Sequence, residues 1–564
     1  IRQLLFQVLE GIQTNTAAHD KLYAFIYSYV NDAYQSREIK KIALRLQNQF
    51  GLKFEQPEGK AKCLDYAFTR DLASDVHENY RIMASERYFL FRCFRQCFRG
   101  EFSDIMQWAF YSYLLIKSQF RGELIQLNRQ TGFHNFHDYD SRKYALWKNL
   151  SEYWCEDYHQ AINASLDEQP IISLEGRISP QGTSTENLDM LHGIDTAKLC
   201  FDAERNGSAE ALDQVKHWKC SYRMENLAES ERYYFVMHFA KRADAPPTVP
   251  NRFCRHEEFR EETRKKSIAL ARTLSASAYF CQRVRGIDAC SNELHCRPEV
   301  FGQAFRFLRE FPTRNYCRAK FSDKTPHIRV TYHVGEDFMD IASGLRAIDE
   351  AICFLELQNG DRLGHAIALG VEPETHYATK SSCIVLSKQE LLDNFVWMLF
   401  RSVELGVGIE HVIEARLRSK AQTLFNALYL PYCDVYTTLE DYYHSMLLRG
   451  DDPHCYSDST FREVQTLDPY DSFALCRNEA FSDRLRDYRN SRTVTHLCNL
   501  YHYCFGIKKQ GSEMEAFDVD YNYITLMGQL QEAMQRYVKE HKISVECNPS
   551  SNVLIGTFGT YYKH

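Results

Sequence analysis

The chain has 564 residues, of which 44% are hydrophobic, 13% aromatic and 25% charged, and its formal net charge is -7. That apolar content excludes wholesale disorder, and the mild acidity is no footprint for a polyanion partner. No apolar run reaches the ~18 residues of a membrane-spanning helix, and 25 glycines with 14 prolines, below the usual ~7% and ~5%, predict a helix-rich fold.

Residues 1–165 read as helix, with Ile105–Leu127 the longest clean stretch. Phe91, Phe94, Phe98 and Phe102 recur at helical spacing, and Arg92, Arg95 and Arg99 interleave with them. Stacking on nucleic-acid bases is one reading of that pattern. An amphipathic helix with a Phe core face and a solvated Arg face explains the same spacing with fewer assumptions. From about 170 the texture changes. Short β-like runs (Ile171–Ile178, Arg232–Phe239, Val284–Ala289, Ile328–His333, Arg362–Ile367) alternate with helical segments such as Glu258–Phe280, Pro298–Glu310 and Phe338–Phe354. Strand–helix alternation predicts βαβ units and a parallel sheet. Residues 373–540 turn helical again, with Lys388–Leu405 and Ile409–Tyr429 the clearest pieces, and a last strand follows at Ile543–Cys547. The 19 cysteines form no C-x-x-C pair, and the first residues lack the basic and apolar regions of a signal peptide. Reduced, mostly buried thiols in a cytoplasmic protein are the expectation.

Three runs carry chemistry. In RVTYHVGEDF (329–338) Thr331 and His333 alternate with Val330 and Tyr332, so His333 ends a strand and Glu336 follows in the loop. In a (β/α)8 barrel that end collects catalytic groups, and a His beside a Glu suits a metal ligand next to a proton donor. A hydrogen-bonded structural His beside an exposed Glu fits the bare residues as well. GDRLGHA (360–366) places His365 at the end of the next strand, and SVECNPSSN (544–552) closes a later one with Pro549 and Asn552.

In this order the three runs resemble the motifs of the adenosine deaminase family of metal-dependent (β/α)8 hydrolases. HVGE is similar to that family's His-x-Gly-Glu, DRLGH to its Arg-Ile-Gly-His, and ECNPSSN to its Glu-x-Cys-Pro-x-Ser-Asn, with Asn548 in place of the Cys. Upstream, LEGRISP (174–180) resembles its Glu-x-Arg-x-Ser-Pro and GIDACSNE (286–293) its Gly-x-Asp-x-x-Gly-x-Glu, with Ser291 in place of a Gly. The resemblance implies an α/β (β/α)8 TIM-like barrel whose six recognisable strands are the second to the seventh. Residues 1–165 would then lie between strands 1 and 2, residues 166–372 would carry strands 2–6, residues 373–540 would be a helical insertion, and residues 541–564 would carry strand 7. The family's His-x-His first strand and paired-Asp eighth strand have no counterpart, since Asp451-Asp452 precedes the last strand. Those strands are expected before Ile1 and after His564.

The resemblance implies His333 as a zinc ligand, with the remaining ligands absent from these residues. It implies Glu336 as the acid that protonates purine N1, made protonated by a dry pocket that raises its pKa. His365 would orient or activate the attacking hydroxide, and the backbone at Ser291 and Gly335 would contact the purine. The runs HVGEDFMDIASGLRAIDEAI and GDRLGHAIALG resemble the deaminase subunits of bacterial RADAR anti-phage systems most closely. That likeness implies adenosine and ATP as substrates, a large homo-oligomer and a partner ATPase; action on RNA has also been proposed for such systems. A barrel amidohydrolase with another substrate, and a scaffold subunit that has lost catalysis, are the alternatives. No HExxH, GxxxxGK[ST] or GxGxxG occurs, and no CxxC follows His256 and Glu258 as a cytidine-type deaminase would need.

Overall fold

The computed structural model describes Leu5, residues 86–124, Ile162, Leu166, and residues 172–205, 232–245, 253–291, 293–315, 328–456 and 482–547. The sequence expectations for the rest of 1–165 and for the NPSSN run with Pro549 and Asn552 lie outside those residues. The chain divides into two compact units, Ile1–Leu124 and Ile125–His564.

In the first unit, α1 (Glu86–Phe98) and α2 (Asp104–Leu124) are joined by a turn at Gly100, whose φ is 65°. The buried face is Phe89 and Cys93 on α1, with Phe102 and with Met106, Ala109 and Phe110 from α2. The expected Phe stripe is therefore corrected. Phe102 is core, but Phe98 is 88% exposed and Phe94 is 41% exposed. Phe94 and Phe98 each lie one residue, about 100° round the helix, from the Phe89, Cys93 and Cys97 stripe that packs on α2, and Phe94 meets Phe110 edge-on at 4.9 Å between ring centroids.

The second unit is built on a six-stranded parallel sheet: β1 (Leu174–Ile178), β2 (Tyr233–Ala240), β3 (Val284–Cys290), β4 (Arg329–Val334), β5 (Arg362–His365) and β8 (Ser544–Glu546), adjacent in that order. These are the six expected strands in the expected sequence. Each is short, and all but β5 (RLGH) carry β-branched or aromatic residues, the composition that suits a pleated, half-buried surface. Alternation sorts their side chains. Phe235, Met237, Phe239, Ile287, Ala289, Val330, Tyr332 and Val334 are buried on the face that the helices cover. The opposite face carries Glu175, Arg177, His238, Asp288, His333, Arg362 and Glu546. The sheet is curled into a half-barrel: Arg177 of β1 and Glu546 of β8, the two edge strands, make two hydrogen bonds of 2.7 and 2.8 Å.

Helices pack outside the sheet. The expected Glu258–Phe280 helix is two helices, α3 (Glu257–Ala276) and α4 (Ala278–Arg283), because extended Ser277 ends one and caps the next, its Oγ accepting from the Phe280 amide at 3.2 Å. After β4 comes α5 (Ile341–Phe354), whose Ile341, Leu345, Ile348 and Ile352 are all buried, as is every other residue of the helix except Glu350, so the helix is enclosed on all sides rather than presenting one apolar face.

Between β5 and β8 the chain is mainly helical, including α6 (Lys388–Glu404), α7 (His411–Leu428) and α8 (Tyr521–Glu540). It also contains an antiparallel pair absent from the sequence reading, β6 (Cys383–Ser387) with β7 (Met514–Asp518). The stretch returns to the sheet through α8. There Gln531 donates to the carbonyls of Ala368 and Val371 at 2.9 and 2.8 Å, and Gln535 to that of Leu369 at 2.6 Å. These bonds clamp the turn that follows β5 and bring β8 alongside it. Among the described residues, no helix is long and apolar enough to cross a membrane.

Candidate functional site at the strand ends

The carboxyl ends of β1–β5 and β8 bring ionisable groups to one face. Asp288 on β3 is the hub. It is fully buried, and its two oxygens accept from different histidines: Nδ1 of His238 on β2 at 2.7 Å and Nδ1 of His333 on β4 at 2.9 Å. His238 is its register neighbour, which makes the first contact nearly obligatory. Arg177 also donates to Asp288. Burial alone would raise the Asp288 carboxyl, but His333 and His238 outweigh it and hold it well below the usual carboxylate range.

His333 is where the alternation placed it, on the concave face at the end of β4. It lies over Gly364 of β5, where an added Cβ would meet the imidazole at 3.0 Å, so the absence of a side chain there lets the ring lie flat against the neighbouring strand. Because Asp288 accepts from Nδ1, the Nε2 atom of His333 is the one left for a ligand. His365, the last residue of β5, has φ 61°, and Ala366 has φ 47°. This left-handed turn, unusual for residues with side chains, sets its ring 5.2 Å from that of His333 and its Nε2 3.0 Å from Oε2 of Glu336. The structure thus joins the three residues that the strand-end argument singled out.

Glu336 sits in the loop after β4, and a residue whose role the sequence did not disclose fixes that loop. Glu293, from the end of the GIDACSNE run, accepts from the backbone amides of Gly335 and Asp337 at 2.9 and 2.5 Å. Lys241, buried after β2, has its Nζ 3.9 Å from Glu293 and donates to the carbonyl of His333. Gly335 has φ 69°, and a Cβ there would come within 2.8 Å of Ile348, so only glycine fits. Ser291 has φ 78°, the left-handed conformation that a glycine adopts without cost, at the position where the resemblance expected glycine.

The charge state of Glu336 corrects an expectation. Burial acts to raise its pKa, but His365, His333 and Lys241 together hold it below its ordinary value. Burial pushes the neighbouring Glu293 the other way, up from its ordinary value, with Lys241 opposing and Glu336 adding to the rise. The resemblance implied a dry pocket but not the imidazole of His365 facing the carboxylate.

Arg177 and Arg362 close the concave face. Arg177 meets Glu175 at 3.0 Å besides Asp288 and Glu546; Arg362 meets Glu175 at 2.6 Å and Glu546 at 3.6 Å and donates to Thr331 at 3.0 Å. On the other face of β4 a recess is lined by Lys241, Glu293, Tyr332, Asp337 and Glu390. It lies behind the Glu336 loop.

A zinc ion needs several such ligands together. His333 fits as one: its Nδ1 is fixed by a carboxylate, as metal-bound imidazoles usually are. Among the described residues no group of three or more His, Cys, Asp and Glu side chains is placed to hold a metal. The remaining ligands would have to come from elsewhere. No protein-family model matches the chain, and no curated protein matches it.

Proposed function

We propose that the protein is a zinc-dependent hydrolase of the (β/α)8 type, its barrel split by the helical stretch between β5 and β8, and that it deaminates adenine nucleosides or nucleotides, adenosine or ATP among them. The observation that carries this reading is the convergence of His333, Glu336 and His365 at the ends of adjacent parallel strands, with Glu336 3.0 Å from His365. Zinc held by Nε2 of His333 and further ligands outside the described residues would supply hydroxide at neutral pH.

The chain's own residues then have distinct tasks. Glu336 delivers a proton to purine N1 as C6 is attacked. It is ionised in the free site, so it must first take up a proton; a purine covering the loop would exclude water and work in that direction. His365 orients the attacking oxygen and returns to its 3.0 Å contact with Glu336 afterwards. The backbone at Gly335 and Ser291 lines the purine edge. The resemblance to the bacterial RADAR deaminases extends the proposal to anti-phage defence, a large homo-oligomer and a partner ATPase, with RNA as a further substrate to be tried.

The test is incubation of metal-loaded protein with adenosine, AMP, ATP and adenine-containing RNA, following inosine formation. Inosine from at least one substrate supports the reading. Formation from none of them defeats it.

A further inference from the structure

Glu336 and His365 stand on two separate connections, and one helix outside the sheet holds both. Glu336 lies in the loop that runs from β4 to Asp340, and His365 begins the turn that runs to Val371. Helix α8 reaches each of them. Near its start the Tyr523 hydroxyl donates to Oδ2 of Asp340 at 2.9 Å. Further along, Gln531 donates to the carbonyls of Ala368 and Val371, and Gln535 to that of Leu369. From Tyr523 to Gln531 the helix rises ~12 Å.

Both anchors are buried and shared with other elements. Asp340 is fully buried; its Oδ1 accepts from the Tyr377 hydroxyl at 2.6 Å, and its Oδ2 also accepts from Asn394 of α6 at 3.2 Å. The Tyr523 ring packs edge-on against Tyr377 at 5.9 Å and against Phe517 at 5.6 Å between centroids. The two connections also touch directly. The Ala366 amide donates to the carbonyl of Val334 at 3.1 Å, and the Ala368 amide to that of Gly335 at 2.9 Å. Loops tied in this way to one regular helix keep a fixed separation, which loops alone hold poorly.

We propose that Tyr523 and Gln531 are positioning residues, and that α8 is a strut that sets the Glu336 loop and the His365 turn at the separation seen in the 3.0 Å contact between Glu336 and His365. Neither side chain needs to touch a substrate: Tyr523 acts through Asp340, and Gln531 through the backbone at Ala368 and Val371. The helical stretch between β5 and β8 thereby gains a task at the strand ends. The consequence for turnover rests on the deamination reading; the coupling between the two connections does not.

The test uses the whole chain with Tyr523→Phe, which keeps the ring and loses the hydroxyl, Gln531→Met, which keeps the length and loses the donor, and the double variant. Amide hydrogen exchange is read by peptide mass spectrometry over residues 334–340, residues 366–371 and, as reference, β2. Each single substitution is expected to speed exchange ~10-fold in both connections, including the one it does not touch, and to leave β2 unchanged. Faster exchange confined to the connection touched overturns the strut, and so does an equal increase in β2. In turnover, each single substitution should lower kcat ~10-fold with KM within ~2-fold, and the double variant should fall no further, because the strut is already cut. A double variant lower by the product of the two single losses overturns it. If the unaltered protein forms no inosine, the deamination reading fails and the exchange measurement alone decides the strut.

Discussion

Arg177 and Glu546 stand 369 residues apart, on the two edge strands of the parallel sheet, and meet through two hydrogen bonds of 2.7 and 2.8 Å. In a flat six-stranded sheet those edges would be roughly 24 Å apart, at about 4.8 Å per strand, far beyond the reach of an arginine side chain. The contact is a direct consequence of the curl, and it brings the strand-end residues to face one another. The guanidinium also neutralises Glu175 and Asp288.

Removing that cation should therefore loosen the curl. Arg177→Met leaves Glu175 and Glu546 to Arg362 and Asp288 to its two histidines, and because Arg177 is about a fifth exposed the cost is expected to fall below the 3–5 kcal/mol of a fully buried pair, at about 2 kcal/mol. Glu546→Gln, which keeps one acceptor, should cost less. Denaturant midpoints of the two variants check the order; an unchanged midpoint for Arg177→Met would show that the edges are held together by something else.

The left-handed positions predict opposite outcomes. Ser291→Gly should stabilise the protein by up to ~1 kcal/mol, since φ 78° strains a residue with a Cβ. Gly335→Ala combines φ 69° with a 2.8 Å approach to Ile348 and should cost ~2 kcal/mol. Thermal unfolding of both variants is the measurement, and a loss in Ser291→Gly would mean that the Ser side chain outweighs the strain.

His376 supplies a pH dependence away from the site. It stacks on Phe338 at 5.2 Å, Nε2 lies 3.4 Å from the carbonyl of Met339, and burial, with Lys380 adding, lowers its pKa from 6.5 to about 3. The unfolded chain binds a proton below pH 6.5 that the folded chain refuses, so this residue's contribution falls as pH drops through the window from 6.5 to about 3. Between pH 7 and 5 the loss amounts to ~2 kcal/mol. His376→Phe, which keeps the stack, should lose that much less stability over the same interval. Parallel pH profiles for the two proteins would contradict this.

β2, β3 and β4 are legible as runs rich in β-branched or aromatic residues between helical spacings, β1, β5 and β8 through the motifs they carry, and His333, Glu336 and His365 because they fall at or just after strand ends. What stayed hidden depends on the curl or on distant pairing. Nothing local in HFA at 238–240 or DAC at 288–290 says that Asp288 will hold two imidazoles; only the register of β2 against β3 does. β6 merges into the helix that begins at Lys388, and its partner lies 127 residues further on, so no hairpin signal marks either. The charge of Glu336 was misjudged for the same reason, since His365 approaches it from the next strand. The Phe stripe of α1 shows the limit of periodicity: the spacing fits a helix, but the stripe that packs is Phe89, Cys93 and Cys97, one residue round from Phe94 and Phe98.

The proton-transfer role of Glu336 is the centre of the account, and turnover by Glu336→Gln tests it most directly. With adenosine and ATP as substrates and inosine formation as the readout, the variant is expected to lose at least ~100-fold in kcat while retaining as much zinc as the unaltered protein, whereas His333→Ala loses the metal. Turnover by Glu336→Gln equal to that of the unaltered protein would contradict the account.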